Sequence, residues 1–386
     1  MNANSLINVR PMKTLLIYLD AFPWRFRSLL LRSLRKVGLH FEARSLLPVL
    51  GYTDCFKVTF LSGLFPCEHG FWVSYVFDEG MDFPFLSIVD MLPGLIGRGI
   101  RFVFNSFLYP VHNVPSVALK YIRYLDVRPE SSFVDVDLAL RRAGVLTLFK
   151  FFEDHGVRYI SLEDRFFKHR LSPFFAMCLN KLSDFDVLLL YIDEPDFWGH
   201  RFGTRSVVYR CSLKWLSDVV SSFVSSAFRR GFVPVIFSDH GMADVSRYIN
   251  VLPSLLRDRN FGRSYVVGVD ATMVRFKYLS DEGVRDSAWL RYIIKPYARR
   301  LTSDDYVKYH LPRSRMYGDE VWLLREGVCF FPNYFSWLRP RGMHAYDPFL
   351  PSQHGIVVAP KELLESYVNG FSVVDLHNLI KSITVG

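Results

Sequence analysis

The chain has 386 residues, half of them apolar and 16% aromatic, with a net charge of +9. This composition excludes an intrinsically disordered chain and is enough for one large core or two smaller ones. No apolar run reaches the roughly 18 residues of a membrane span, and the apolar stretch 15–19 is too short for a signal peptide before Asp20 interrupts it. The five cysteines are scattered and form no CxxC pair, so neither a thiolate zinc site nor a disulfide framework is expected, and a reducing, cytoplasmic setting fits. The basic charge favours anionic partners, but no nucleic-acid motif accompanies it and no specific nucleic-acid binding is expected.

Residues 13–19 read as a buried strand with Asp20 at its carboxyl end. Residues 24–36 form a basic amphipathic segment closed by Gly38. It suits a sheet-covering helix whose outer face also offers peripheral contact with an anionic membrane. Thr53 and Asp54 start a helix that runs to about Ser62 and is ended by Gly63. The Thr53 hydroxyl there either caps the helix or faces unpaired backbone N–H groups, where a phosphoryl group can be held. From about 80 to 185, Phe83-Pro84-Phe85 and Tyr109-Pro110 alternate with a helical pattern at 138–152 and a strand at 156–160.

The apolar run 186–192 is a second clear core strand, opening onto Asp193-Glu194-Pro195-Asp196-Phe197-Trp198-Gly199-His200. Asp196 and His200 stand one helical turn apart and can aim at one ion. Carboxylates crowded this closely repel unless solvated or neutralised by a cation. A long helix follows at 206–229. The strand Val235-Ile236-Phe237 then ends in Ser238-Asp239-His240-Gly241-Met242, placing a carboxylate and an imidazole side by side. Residues 251–340 make a second excursion, a lid or small subdomain, with strands at 272–276 and 328–331 and a charged helix at 286–300. The chain returns through Gly342-Met343-His344-Ala345-Tyr346-Asp347 and His354, and finishes with a helix at 373–383.

Asp20, Thr53, Asp196, His200, Asp239, His240 and His344 thus occupy comparable strand-end or helix-start positions. In open α/β sheets, chemistry gathers at the carboxyl ends of strands. Nitrogen and oxygen ligands without thiolates suit two divalent ions, zinc first and manganese second. His354 is an alternative to His344 as the last ligand.

Several segments, in order, resemble the type I phosphodiesterase/nucleotide pyrophosphatase family of the alkaline phosphatase superfamily. Tyr191-Ile192-Asp193-Glu194-Pro195-Asp196-Phe197-Trp198-Gly199-His200 is similar to the family's Asp/His segment, and Ser238-Asp239-His240-Gly241-Met242 to its SDHGM segment. Ser62-Gly63-Leu64-Phe65-Pro66-Cys67-Glu68-His69-Gly70 is similar to the stretch that follows the nucleophile, and Gly342-Met343-His344-Ala345-Tyr346-Asp347 to the late histidine segment.

The resemblance implies an α/β fold: an alkaline-phosphatase-like three-layer α/β/α sandwich with a mostly parallel central sheet and inserted cap or lid segments. It implies one catalytic domain over 1–386, with the core at about 13–80, 156–250 and 341–386 and insertions at about 81–155 and 251–340. Carried over, Asp20, Thr53, Asp239 and His240 surround one zinc and Asp196, His200 and His344 hold the other. Thr53 is the nucleophile, forming a phospho-threonine, with Thr59 as the alternative. Ser74 stands near the place of the family's phosphate-binding Asn, and it or Lys57 would hold substrate oxygens. The expected activity is metal-dependent hydrolysis of a phosphodiester or pyrophosphate in a small nucleotide-like or lipid-head-group substrate. Phosphomonoesterase, phosphoryl or phosphoethanolamine transferase and phosphomutase are alternatives within the superfamily, and a non-catalytic phospho-ligand binder is the alternative of another class.

Overall fold

The computed structural model describes residues 12–78, 114–128, 131–163, 171–334 and 338–385. The Phe83-Pro84-Phe85 and Tyr109-Pro110 stretches lie outside these residues. Six consecutive apolar or β-branched residues, all buried, make Thr14–Leu19 a strand covered on both faces, β1. The same logic gives Val187–Ile192 (β4) and, with one partly exposed end, Val233–Phe237 (β5). They join Phe41–Leu47 (β2), Tyr159–Glu163 (β3), Gly355–Pro360 (β6) and Phe371–Ser372 (β7) in a seven-stranded sheet of order β7-β2-β6-β5-β1-β4-β3. Only β6 runs against its neighbours; every other pairing is parallel.

Side chains alternate across β1, so Leu15, Ile17 and Leu19 enter one core and Leu16 and Tyr18 the other. Helices Arg27–Lys36 (α1), Leu171–Lys181 (α4) and Val207–Phe228 (α6) cover the first face. Helices Thr53–Ser62 (α2), Phe133–Arg142 (α3) and Val373–Val385 (α7) cover the second. The expected three-layer sandwich is therefore present. Leu30 and Leu34 of α1 are buried, so this helix turns its apolar side to the sheet layer and its basic residues outward. Among the described residues no helix is long and apolar enough to cross a membrane, and all five cysteines are free.

Several boundaries differ from the sequence reading for local reasons. The pattern at 138–152 breaks at Gly144 (φ +76°) into α3 and a second helix, Leu148–Asp154, capped by the Ser132 and Thr147 side chains respectively. Both pack on the sheet-face core, so the part of the expected first insertion from 133 to 154 belongs to the sandwich layer. Gly156 (φ +68°) turns the chain, and the strand expected at 156–160 starts at Tyr159. The helix expected at 286–300 stops at Ile294, because Pro296 has no N–H to extend the ladder; Ala298–Arg300 is a strand instead. That strand edges a second, antiparallel sheet: Tyr265–Val269, Met273–Tyr278, Glu320–Leu324, Ala298–Arg300. The sheet has its own core, and the turn 270–272 reaches back to the main sheet's active end: Thr272 Oγ1 donates to Ala345 O at 2.8 Å.

α2 and α7 meet at a tight seam. Gly63 ends α2 at φ +69°, and a Cβ there would lie 2.5 Å from the His377 ring. Gly63→Ala should therefore cost roughly 1–3 kcal/mol through backbone strain and overlap, read as a lower urea midpoint. His377 Nδ1 lies 2.8 Å from Phe60 O, and burial pulls its pKa from 6.5 down to about 4. The unfolded chain takes up this proton first. The contribution is complete above about pH 6.5 and is lost as pH falls toward 4, on the order of 3 kcal/mol. Urea midpoints measured across that window should fall less steeply in His377→Gln.

Candidate metal and phosphoryl-transfer site

The parallel register sets the site. Leu19 pairs with Ile192 and Tyr18 with Phe237, so β1, β4 and β5 end together. Asp20, the segment from Asp193 and the Ser238–Asp239–His240 turn therefore emerge at one edge. After β4, Glu194–Phe202 (α5) brings Asp196 and His200 onto one helical face. Met343 pairs with Ala243, the residue after Met242, which carries His344 into the same place.

Two triads form. Asp196, His200 and His344 each offer a ligand atom within 4.8 Å of the others, and so do Asp20, Asp196 and His240. His200 Nε2 is 3.2 Å and His344 Nε2 3.7 Å from Asp196 Oδ1. His240 Nε2 is 3.0 Å from Asp239 Oδ2 and 3.8 Å from Asp20 Oδ1. Asp196 lies within ligand distance of both groups, not only that of His200 and His344, and Asp239 is in neither triad, although its carboxylate lies 3.0 Å from His240. His354 belongs to neither triad among the described residues.

The backbone fixes which atoms face inward. His240 Nδ1 lies 2.9 Å from Gly241 O and His200 Nδ1 2.8 Å from Gly342 O, so each ring turns Nε2 to the cluster. Ser238 Oγ accepts from Phe22 N–H and donates to His240 O, tying the β1 and β5 turns together. Asp239 Oδ1 accepts from Ala21 N–H at 3.1 Å. Asp20 Oδ2 accepts from the Tyr191 hydroxyl at 2.5 Å. Asp20 Oδ1, Asp196 Oδ1, Asp239 Oδ2 and His240 Nε2 are buried and make no well-aligned hydrogen bond; they meet only the carboxylates and imidazoles of the cluster itself. Such atoms are costly in an apolar interior unless something binds them. Asp20 and His344 are each followed by an alanine in the left-handed region, Ala21 at φ +56° and Ala345 at φ +61°.

Electrostatics tell the same story. Burial and the charges of Asp239 and Asp196 push the Asp20 carboxyl well above the usual range. Burial raises Asp239 too, but neighbouring His240 more than offsets it and the net direction is down. Burial lowers His240, but the charge and hydrogen bond of Asp239 together with the charges of Asp20 and Asp196 outweigh it and hold it at about 9. His344 is pushed well below the usual imidazole range by burial and by His240 and His200. Left to protons alone, the cluster balances its charge on Asp20 and His240; a divalent cation supplies that balance without them.

Thr53 is the first residue of α2 and is buried; the N-cap is Tyr52, with no side-chain capping bond. The Tyr52 ring stands edge-on to His344 with centroids 5.8 Å apart, which brings the start of α2 to the triads. Thr59 instead sits a turn and a half further along, with Oγ1 3.1 Å from His69 Nε2. Ser74 Oγ donates to the Asp54 carboxylate. Lys57 Nζ is buried, donates to Ser131 O at 2.8 Å and lies 4.6 Å above the Tyr191 ring.

Tyr191 was not singled out from sequence. The available signal was a hydroxyl at the end of an otherwise aliphatic buried strand, where a Tyr O–H needs a partner. By occupying Oδ2, it orients Asp20 so that Oδ1 faces His240. Tyr191→Phe should leave folding intact and weaken binding of an added divalent cation about 10- to 100-fold in a calorimetric titration; unchanged affinity would remove Tyr191 from the site's support.

Among solved structures, murine ectonucleotide pyrophosphatase/phosphodiesterase 5 superposes with a TM-score of 0.63 at 15% identity, covering 95% of this chain and 94% of that one. An inactive threonine-to-alanine variant of the murine protein in complex with AMP gives 0.60 at 15%, covering 97% and 96%. The human protein gives 0.60 at 14%, covering 97% and 96%. These identities speak for the fold alone. No curated protein sequence matches. The family model described as type I phosphodiesterase / nucleotide pyrophosphatase matches residues 14–277, well over half of the chain, and with that match this protein belongs to that family of hydrolases.

Proposed function

We propose that this hydrolase cleaves a phosphodiester or pyrophosphate bond in a nucleotide-like or lipid-head-group substrate, with Thr53 as nucleophile beside two divalent cations, zinc before manganese. The observation that carries this reading is the pair of carboxylate–imidazole triads sharing Asp196, with four buried ligand atoms that face one another and make no well-aligned hydrogen bond. The donor set fits a borderline cation: the triads offer two carboxylates and three imidazoles, with no thiolate, and a third carboxylate, Asp239, lies 3.0 Å from His240. Asp20, Asp239 and His240 would hold one ion and His200 and His344 the other, with Asp196 within reach of both. When bound, such ions lower the pKa of a hydroxyl and stabilise charge on attacking and leaving oxygens.

The chain's own residues supply the rest. Thr53 Oγ attacks phosphorus; the Oγ–P bond forms as the bond to the leaving oxygen breaks, giving a phospho-threonine that water then hydrolyses. Thr53 starts a ten-residue helix, so the backbone N–H groups of its first turn lie nearest the phosphoryl oxygens. The Asp54–Ser74 contact holds the segment after Gly70 against this turn. The inactive threonine-to-alanine variant of the murine structure with AMP supports both the nucleophile and a nucleotide-like ligand.

The test compares bis-p-nitrophenyl phosphate with p-nitrophenyl phosphate as substrates, with zinc content measured alongside. We expect faster diester cleavage, about two zinc ions per chain, and loss of at least about 10³-fold in kcat for Thr53→Ala. Asp196→Asn should lower zinc content as well as rate, because both triads use it. A faster monoester reaction would move the protein to a phosphatase or mutase activity, and metal-free inactive protein would leave only a binding role.

A further inference from the structure

The outer face of α5 and α6 carries a feature that the hydrolytic site does not use. On α6, Val207, Cys211 and Trp215 recur every four residues and form one exposed stripe, with Val208 beside it. Val207 is 75% exposed, Val208 50% and Trp215 44%. The stripe continues onto α5, where Trp198 packs edge-on against Trp215 at 6.1 Å and Phe197 is 48% exposed. Arg210 and Lys214 form the neighbouring stripe, and Arg201 and Arg205 flank the helix start; all four are exposed. No Asp or Glu occurs from 197 to 217. Arg205 pairs with Asp244 and Lys214 with Asp218. α1 packs alongside, as Phe26 against Tyr209 and Ser33 bonded to Asp218 show, and adds exposed Arg32, Arg35 and Lys36.

We propose that this α1–α5–α6 face docks on an anionic phospholipid surface. An exposed tryptophan and valines within a basic rim match an interfacial helix, whose apolar side chains enter the acyl boundary while Lys and Arg meet the headgroups. The charge complements such a surface, and the chain's +9 adds long-range attraction. The six apolar and seven basic residues named on this face are together fewer than the about 20–30 residues that each side of a stable protein interface presents. Nucleic acid would engage the arginines but leave the valines in water. The face also adjoins the open side of the hydrolytic site. Asp196 and His200, on α5 itself, keep 24% and 29% of their side chains exposed, against 4% to 6% for Asp20, His240 and His344. Docking would bring that mouth to the headgroup layer.

The test is sedimentation of the full chain with liposomes of phosphatidylcholine alone or containing about one-third phosphatidylserine. Binding to the anionic vesicles only, released by about 0.5 M salt, is expected. Arg210→Glu with Lys214→Glu should weaken it at least about 25-fold, since each basic residue near the surface contributes about fivefold. Val207→Ser with Val208→Ser should also weaken it, while hydrolysis of a soluble diester stays unchanged in both pairs. The inference is overturned if neither vesicle binds, if both variant pairs bind like the parent, or if single-stranded RNA is bound and vesicles are not.

Discussion

Three carboxylates meeting at the end of a parallel sheet is the constraint on which the rest of the architecture depends. Asp20, Asp196 and Asp239 come from three separate segments: the register of β1, β4 and β5 brings the ends of the three strands together, Asp196 lies within ligand distance of Asp20, and Asp239 adds its charge to that of Asp20. Such a cluster is stable only if positive charge is built in or brought in. The chain answers with histidines from three further positions, each held by backbone or stacked on another ring; His240 and His344 lie 3.8 Å apart and nearly parallel. The two stacked imidazoles cannot both be cationic at low cost, so the arrangement favours neutral nitrogen donors around an external charge.

Supporting the cluster requires unusual side chains in the core. Tyr18 and Tyr191 sit on the α2 face of the sheet beneath the carboxylates, in stacked or tilted contact with Phe237, Phe56 and each other. Beneath them lies the buried ammonium of Lys57, over the Tyr191 ring. This aromatic layer excludes water from below, so the groups at the strand ends act in a medium of low polarity where each charge counts for more. The side chains that β1, β4 and β5 turn to the other core are aliphatic, among them Leu15, Ile17, Leu188, Leu190 and Ile236.

Much of this was legible in the sequence, and for a physical reason. Buried parallel strands announce themselves as unbroken apolar runs, so a charged residue closing one stands out; that is how Asp20 and Asp239 were found. Asp196 and His200 carried helical spacing of their own. How the candidate ligands group was less legible: Asp196 lies within ligand distance of both triads, which depends on how α5 sits against the β1 end, and spacing along the chain is silent on that. Thr53 ranks ahead of Thr59 in the sequence because it stands at the helix tip rather than inside the helix; what the sequence does not carry is the partner of Thr59, whose Oγ1 lies 3.1 Å from His69 Nε2. The helix breaks at Gly144 and Pro296 were visible as residues, but a periodic pattern read across them hides their local effect, a positive φ at Gly144 and a missing N–H at Pro296.

The backbone at Ala21 and Ala345 carries a consequence of its own. Of the three non-glycine residues in left-handed conformation among those described, two directly follow Asp20 and His344. An alanine held there costs about 1–2 kcal/mol that a glycine would not. What it returns is stiffness: with a Cβ present, the loop has fewer ways to carry its carboxylate or imidazole out of line. The protein thus keeps a small amount of elastic energy at two hinges of its binding pocket. That energy buys pre-alignment, so a cation arriving at the site need not first organise the loops that receive it.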